Sequence, residues 1–212
     1  MKRRRIAVCL IAIAALSAAP QAAEIPLDQR RSSYEDMSRD TKAMQDDDTS
    51  NPAMLSVLDG EALWNTKAGT SGKSCADCHG DATTSMRGVA ARYPAFDERS
   101  AKPVNLEQRI NLSREHDQGA PAFRYESKEL LALTAYVALQ SRGEPISSFN
   151  DERLTTFIAQ GRNLFHQRQG QLNLSCAQCH DDNWGKHLAG NVIPQAHPTG
   201  YPIYRLEWQG LG

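Results

Sequence analysis

The chain has 212 residues, with 24 Lys and Arg against 25 Asp and Glu, for a formal net charge of -1. That length holds one or two small domains. The charge balance, with no basic run beyond the N-terminus, excludes a nucleic-acid binder built on a basic patch. A mean hydropathy of -0.55 predicts a soluble mature protein.

The N-terminus reads as an export signal. Lys2-Arg3-Arg4-Arg5 precedes an apolar run, Ile6–Ala19, that is too short for a comfortable membrane span. Small residues follow, which predicts cleavage between Ala19 and Glu24. An uncleaved membrane anchor is the competing reading. Cys9 lies early in the apolar run and would be discarded with it. The expected location is a bacterial periplasm or its equivalent, with no membrane attachment after cleavage. Residues 24–50 are polar and charged and read as an arm or linker able to wrap a partner.

The next predicted element is a helix from Asn51, as N-cap, with Pro52 at its first position. It carries Gly60 and Trp64 in a Gly-x-x-Leu-aromatic pattern. Ser74–His79 follows as SCADCH. A convincing helix then runs over Ser127–Arg142, capped by Ser127 and ended by Gly143 and Pro145. Glu144–Asn150 is a linker. A second amphipathic helix starts near Asp151, with Leu154, Phe157, Ile158, Gly161 and Leu164 at helical spacing. It repeats the pattern as Gly161-Arg162-Asn163-Leu164-Phe165, and Ser175–His180 follows as SCAQCH. In both copies the glycine lies 15 residues before the first cysteine. Gly60 and Gly161 are expected to admit a closely crossing helix.

Past Cys9 the cysteines are Cys75, Cys78, Cys176 and Cys179, all in C-x-x-C-H. Four cysteines in an exported protein suggest disulfides, and a C-x-x-C pair suits a redox dithiol or half a zinc site. The histidine that follows decides against these. C-x-x-C-H is the signature of covalent c-type haem attachment, with two sulfurs on the porphyrin rim and the next imidazole beneath the iron. Two covalently attached haem c groups are therefore expected, on Cys75 and Cys78 and on Cys176 and Cys179, with His79 and His180 as axial ligands.

Helix, haem motif, covering loop and closing helix make the plan of a cytochrome c domain. The expected fold is mainly α, with two tandem cytochrome c-like domains. The division is 1–23 signal, 24–50 arm, 51–147 first domain and 148–212 partial second domain. From Cys176 only 37 residues remain, so the second domain is expected to lack its closing C-terminal helix. That leaves an apolar face bare, which is costly in solution unless something covers it. Arg87, Arg92, Arg109 and Arg205 are candidates to pair with haem propionates. Trp184 and Trp208 are expected to be core or haem-packing aromatics. His187 is expected to be exposed, and His197 to order its loop by hydrogen bonding.

Three stretches carry a resemblance: SMRGVAARYPAFDERSAKPVNLEQRINL, ELLALTAYVALQSRGEPI and DDNWGKHLAGNVIPQAHPTGYPIYRLEWQGLG. From about Met54 to Gly212 the chain resembles the SoxA subunit of the SoxAX cytochrome, through loops that a generic cytochrome would not share. The resemblance implies a di-haem subunit partnered by the mono-haem SoxX. It implies an L-cysteine S-thiosulfotransferase that oxidatively joins thiosulfate to a cysteine of the SoxYZ carrier. Electrons then leave through the haems to an external cytochrome c.

The chain departs from the family pattern twice. The family commonly places a distal cysteine ligand where this chain has Ser113. His116 is the candidate substitute, its competing reading being a solvent-facing loop histidine, and Met86 ranks below it. The first haem is then expected to be five-coordinate or bis-histidine, which alters its potential. The family's catalytic cysteine follows the LEWQGLG segment, and this sequence ends at Gly212. The expectation is a SoxA shortened at its C-terminus, with no catalytic residue in these residues. The alternatives are a non-catalytic di-haem electron-transfer or docking subunit and a non-functional remnant.

Overall fold

The computed structural model describes residues 25–146, 151–197 and 200–212. The expected signal segment, Cys9 and most of the linker between the halves lie outside these residues. Among the described residues eight α-helices run in chain order: α1 (Arg39–Asp46), α2 (Ala53–Asn65), α3 (Cys75–His79), α4 (Ala82–Ser85), α5 (Leu106–Ser113), α6 (Lys128–Leu139), α7 (Thr155–His166) and α8 (Cys176–His180). Three antiparallel pairs of short strands accompany them: β1 (Ala95–Asp97) with β2 (Lys102–Val104), β3 (His187–Leu188) with β4 (Asn191–Val192), and β5 (Tyr204–Arg205) with β6 (Gly210–Leu211).

The core of the first half forms where α2 crosses α6. Ala53 opens α2 with its N–H donated to Asn51 Oδ1 at 3.0 Å, so Asn51 supplies the expected cap one residue early. Ser127 Oγ accepts from Leu130 N at the start of α6. Every residue of α6 from Leu130 to Val137 is buried, so this helix is wrapped on all sides. Val57, Trp64, Leu133, Tyr136 and Val137 form the centre of the core. Burial of each such side chain contributes about 1.5–3 kcal/mol. Gly60 is the crossing point, since a Cβ there would stand 2.1 Å from the Ala132 carbonyl oxygen.

The second half reproduces the first up to the haem motif, 101 positions later. Isolated bridges join Ala68 to Lys73 and Gln169 to Leu174. Left-handed residues recur at Gly69 and Gly170, and at Gly72 and Asn173. The copies diverge after the histidine. Beyond α8 the described chain holds the two hairpins β3–β4 and β5–β6 and no helix. Helix α7 has no buried residue. The close crossing expected at Gly161 is absent: among the described residues nothing approaches a Cβ there within 4 Å, because no second helix lies across α7.

The halves touch through side chains rather than through shared secondary structure. Arg153 pairs with Glu98 and lies 4.7 Å over the Phe96 ring. Tyr201 donates to Glu107 at 2.9 Å. Leu154, Phe157 and Ile158 face Pro94, Pro103 and Val104 across a cleft of about 350 Å³. Leu211 of β6 packs against the core of the first half.

The arm is bound to its own chain. It forms 3-10 turns at Leu27–Gln29 and Ser33–Asp36 and then α1, capped by Ser38. Arg142 holds Asp48 with both guanidinium nitrogens at 3.0 and 2.9 Å. Nearer its start, at Gln29 and Arg31, the arm backbone bonds the side chain of Gln195 in the second half.

Candidate functional site

Each C-x-x-C-H segment is a single helical turn set by a reciprocal cap. Ser74 Oγ accepts from Asp77 N at 3.1 Å, and Asp77 Oδ2 accepts from Ser74 N at 2.8 Å. In the second copy Ser175 Oγ accepts from Gln178 N at 3.3 Å, and Gln178 Oε1 accepts from Ser175 N at 2.8 Å. These capping boxes satisfy donors that a short helix would otherwise leave unpaired. The turn puts residues i, i+3 and i+4 on one side. Cys75, Cys78 and His79 therefore share a face of α3, and Cys176, Cys179 and His180 share a face of α8. None of the four cysteines is joined to another in a disulfide.

The two histidines are oriented by different means. His180 Nδ1 lies 2.8 Å from the Pro194 carbonyl. A carbonyl only accepts, so Nδ1 carries the proton and Nε2 keeps its lone pair for a metal. His79 instead lies against Trp64, with ring centroids 5.7 Å apart and a 34° tilt. Trp64 is 4% exposed, and its Nε1 donates to Gly80 O at 3.1 Å. Its counterpart Phe165 has no N–H and meets His166 edge-on at 5.6 Å.

This donor set fits a haem c. A porphyrin supplies four in-plane nitrogens, so the protein need add only rim sulfurs and an imidazole. Among the described residues no three or more His, Cys, Asp or Glu converge as a bare ion would need. Leu172 and Leu174, just ahead of the second motif, are 80% and 43% exposed, an apolar surface suited to a macrocycle. At the first motif, burial pushes the Cys75 thiol up, with Arg114 opposing. Gln118 is buried beside it, donating to Lys73 O at 3.1 Å, with its Nε2 3.9 Å from Cys75 Sγ.

The distal candidates fall in different surroundings. Ser113 ends α5, and His116 sits exposed in the π-helical turn Arg114–Gln118 that follows. His79 is exposed too, so exposure does not distinguish the two histidines. Met86 packs against the core of the first half.

Three of the candidate arginines have partners within the protein. Arg109 donates to Asp97 Oδ1 at 2.8 Å. Hydrogen bonds from Ser100, reinforced by Arg109, hold the Asp97 carboxyl at about 2. Arg87 pairs with Glu144, and Arg205 stacks on Trp208. Arg92 is exposed. Trp208 is 66% exposed, so of the two expected roles, core or haem-packing aromatic, the first is excluded, because the hairpin that carries it lies at the surface. Trp184 is half-buried beneath Arg31. His187 is exposed, and His197 donates to Gln195 Oε1 at 3.1 Å, as a loop-ordering residue does.

Sequence reasoning missed Pro194, Gln195 and Gln118. A backbone carbonyl has no side-chain signature, and a lone glutamine has no motif, so none of these carried a signal.

A family model described as the SoxA/TsdA cytochrome c domain matches residues 59–146. The L-cysteine S-thiosulfotransferase subunit SoxA of Pseudaminobacter salicylatoxidans is 37% identical over 187 residues, which are 88% of this chain and 65% of that protein. The subunit of the same name from Rhodovulum sulfidophilum is 37% identical over 180 residues, 85% of this chain and 63% of that one. The chain thus spans somewhat less than two-thirds of these curated relatives. Against the crystal structure of SoxXA from P. pantotrophus the TM-score is 0.80, at 31% identity, covering 85% of this chain and 68% of that chain. A cytochrome c domain implies covalently bound haem c. With sequence and overall fold in agreement, the chain belongs to the SoxA family of c-type cytochromes.

Proposed function

We propose that this chain is a di-haem cytochrome subunit of thiosulfate oxidation in the periplasm, built as two tandem cytochrome c-like domains at 51–147 and 148–212. Cys75 and Cys78 would hold one haem c with His79 as an iron ligand, and Cys176 and Cys179 would hold another with His180 as an iron ligand. His116 is the candidate distal ligand at the first. The observation that carries this reading is the same capped Ser-Cys-x-x-Cys-His turn occurring twice, with His180 Nδ1 held by Pro194 and its Nε2 left free. The complete system joins thiosulfate oxidatively to a cysteine of a SoxYZ-type carrier, with a SoxX-type mono-haem subunit as partner and an external cytochrome c as acceptor. Haem c, when bound, supplies the one-electron steps that carry these electrons away.

The chain's own residues bind and orient. The cysteines anchor the macrocycle edges, the capping boxes keep sulfurs and imidazole on one face, and Pro194 fixes the His180 tautomer. A second reading is an electron-transfer or docking subunit without thiol chemistry of its own.

The test is a haem count on the periplasmically expressed chain, by pyridine haemochrome and intact mass under denaturation. Two haems are expected, and one in a Cys176→Ser/Cys179→Ser variant. A bare polypeptide would defeat the reading. Thiosulfate-dependent haem reduction in the presence of SoxX and SoxYZ then favours the transferase subunit, and silence with two haems attached favours the electron-transfer reading.

A further inference from the structure

The N-terminal arm meets the stretch beyond the second haem motif at Gln195. Gln195 is 6% exposed. Its Nε2 donates to Gln29 O at 2.8 Å, and its Oε1 accepts from Arg31 N at 2.8 Å. The amide thus spans two arm residues spaced i and i+2, much as a neighbouring strand would. Its orientation is set, because Gln29 O can only accept and the Arg31 N–H can only donate. His197 adds a third bond to Oε1. Arg31 also stacks over Trp184 at 5.3 Å, four residues past His180.

The residue before Gln195 is Pro194. Its carbonyl shares a planar peptide unit with the Gln195 nitrogen, so the two turn together. That carbonyl receives the His180 Nδ1 proton. Tying the Gln195 side chain to the arm therefore restrains the acceptor that orients the imidazole. At the first motif His79 has Trp64 as its neighbour, so the effect is local to the second.

We infer that Gln195 is a positioning residue for His180, and that through it the N-terminal arm tunes the reduction potential at the second haem motif. The inference rests on the proposed haem attachment at Cys176 and Cys179. An Nδ1–H···O=C bond moves electron density toward Nε2 and favours the ferric state. Loosening that bond weakens the ligand and moves the potential to a more positive value.

The experiment uses the full holo-chain, haem-counted, in a spectroelectrochemical titration. Gln195→Ala removes both arm bonds. Arg31→Pro deletes the N–H from the arm side and carries the test if the first variant does not mature. With two haems attached, one of the two redox steps is expected to shift positive in each variant while the other stays. Unmoved steps, or both steps moving together, would overturn the inference and leave Gln195 a structural clasp. A wild-type chain with no haem at Cys176 and Cys179 would instead remove the underlying reading, and the inference with it.

Discussion

Gly60 lies so close to the Ala132 carbonyl that a side chain cannot fit between them: a Cβ would stand 2.1 Å from the oxygen and 2.7 Å from Tyr136 Cβ. Its repeat counterpart Gly161 has open space around it. The same substitution should therefore have opposite signs at the two sites. Gly60→Ala is expected to cost about 1–3 kcal/mol or more by overpacking. Gly161→Ala should gain about 0.5–1 kcal/mol from helix propensity. Denaturant unfolding of the holo-chain checks both, and a matching loss at Gly161 would mean that α7 is crossed after all.

Trp64 joins three parts of the first site: its ring meets His79 and Tyr136, and its N–H meets Gly80 O. Trp64→Ala should cost about 3–5 kcal/mol through the cavity it leaves. Trp64→Phe keeps much of the volume but removes the bond to the Gly80 carbonyl, which is exposed and open to water, so it should cost only about 0.5–1.5 kcal/mol. Thermal melts are the measurement: a Trp64→Phe variant as stable as the wild type would deny the hydrogen bond a role, and equal losses in the two variants would deny one to the ring volume.

Asp97 makes the fold acid-sensitive. Ser100 and then Arg109 hold its carboxyl at about 2, below the usual value of 3.8. A depressed folded pKa gives stability that is present above the unfolded value and lost as pH falls through the folded one. Stability should drop between about pH 4 and pH 2, and Asp97→Asn should flatten that stretch of the curve. Unfolding free energies across this range are the measurement, and an unchanged slope in the variant would assign the loss elsewhere.

Tyr201 and Glu107 clasp the halves together. Glu107 is 3% exposed and accepts the Tyr201 hydroxyl at 2.9 Å. Tyr201→Phe leaves a buried acceptor without this donor, a loss of about 1–3 kcal/mol. Burial, then Glu107, also raises the Tyr201 hydroxyl above its ordinary value of 10.0. A raised folded pKa gives stability that is complete below the unfolded value and lost as pH rises beyond it. The wild type should weaken above about pH 10, and Tyr201→Phe should weaken less over that range. Parallel alkaline unfolding curves would rule this out.

The haem turns, their caps and the two helices leading into them were legible because their causes are local. Ser74 and Asp77, like Ser175 and Gln178, are three residues apart, and the Gly-x-x-Leu-aromatic pattern repeats at a constant offset. Ser127 announced α6 in the same way. The roles of the charged and aromatic side chains were less legible. Arg109 and Arg87 were candidates for propionates, yet each faces an acid of its own chain. Tryptophan type alone did not show that Trp64 is buried while Trp208 is exposed.

By itself the sequence determined the local design: two C-x-x-C-H pentapeptides whose cysteines and histidine share one face wherever a single helical turn forms. Only the tertiary structure decided what surrounds them. The arm meets Gln195 across 164 and 166 residues, and Tyr201 meets Glu107 across 94. Such contacts depend on the path by which the chain folds back on itself, and no local preference encodes that path. The same holds for the glycines, identical in pattern and opposite in surroundings, because a helix must arrive from elsewhere in the chain to make one of them necessary.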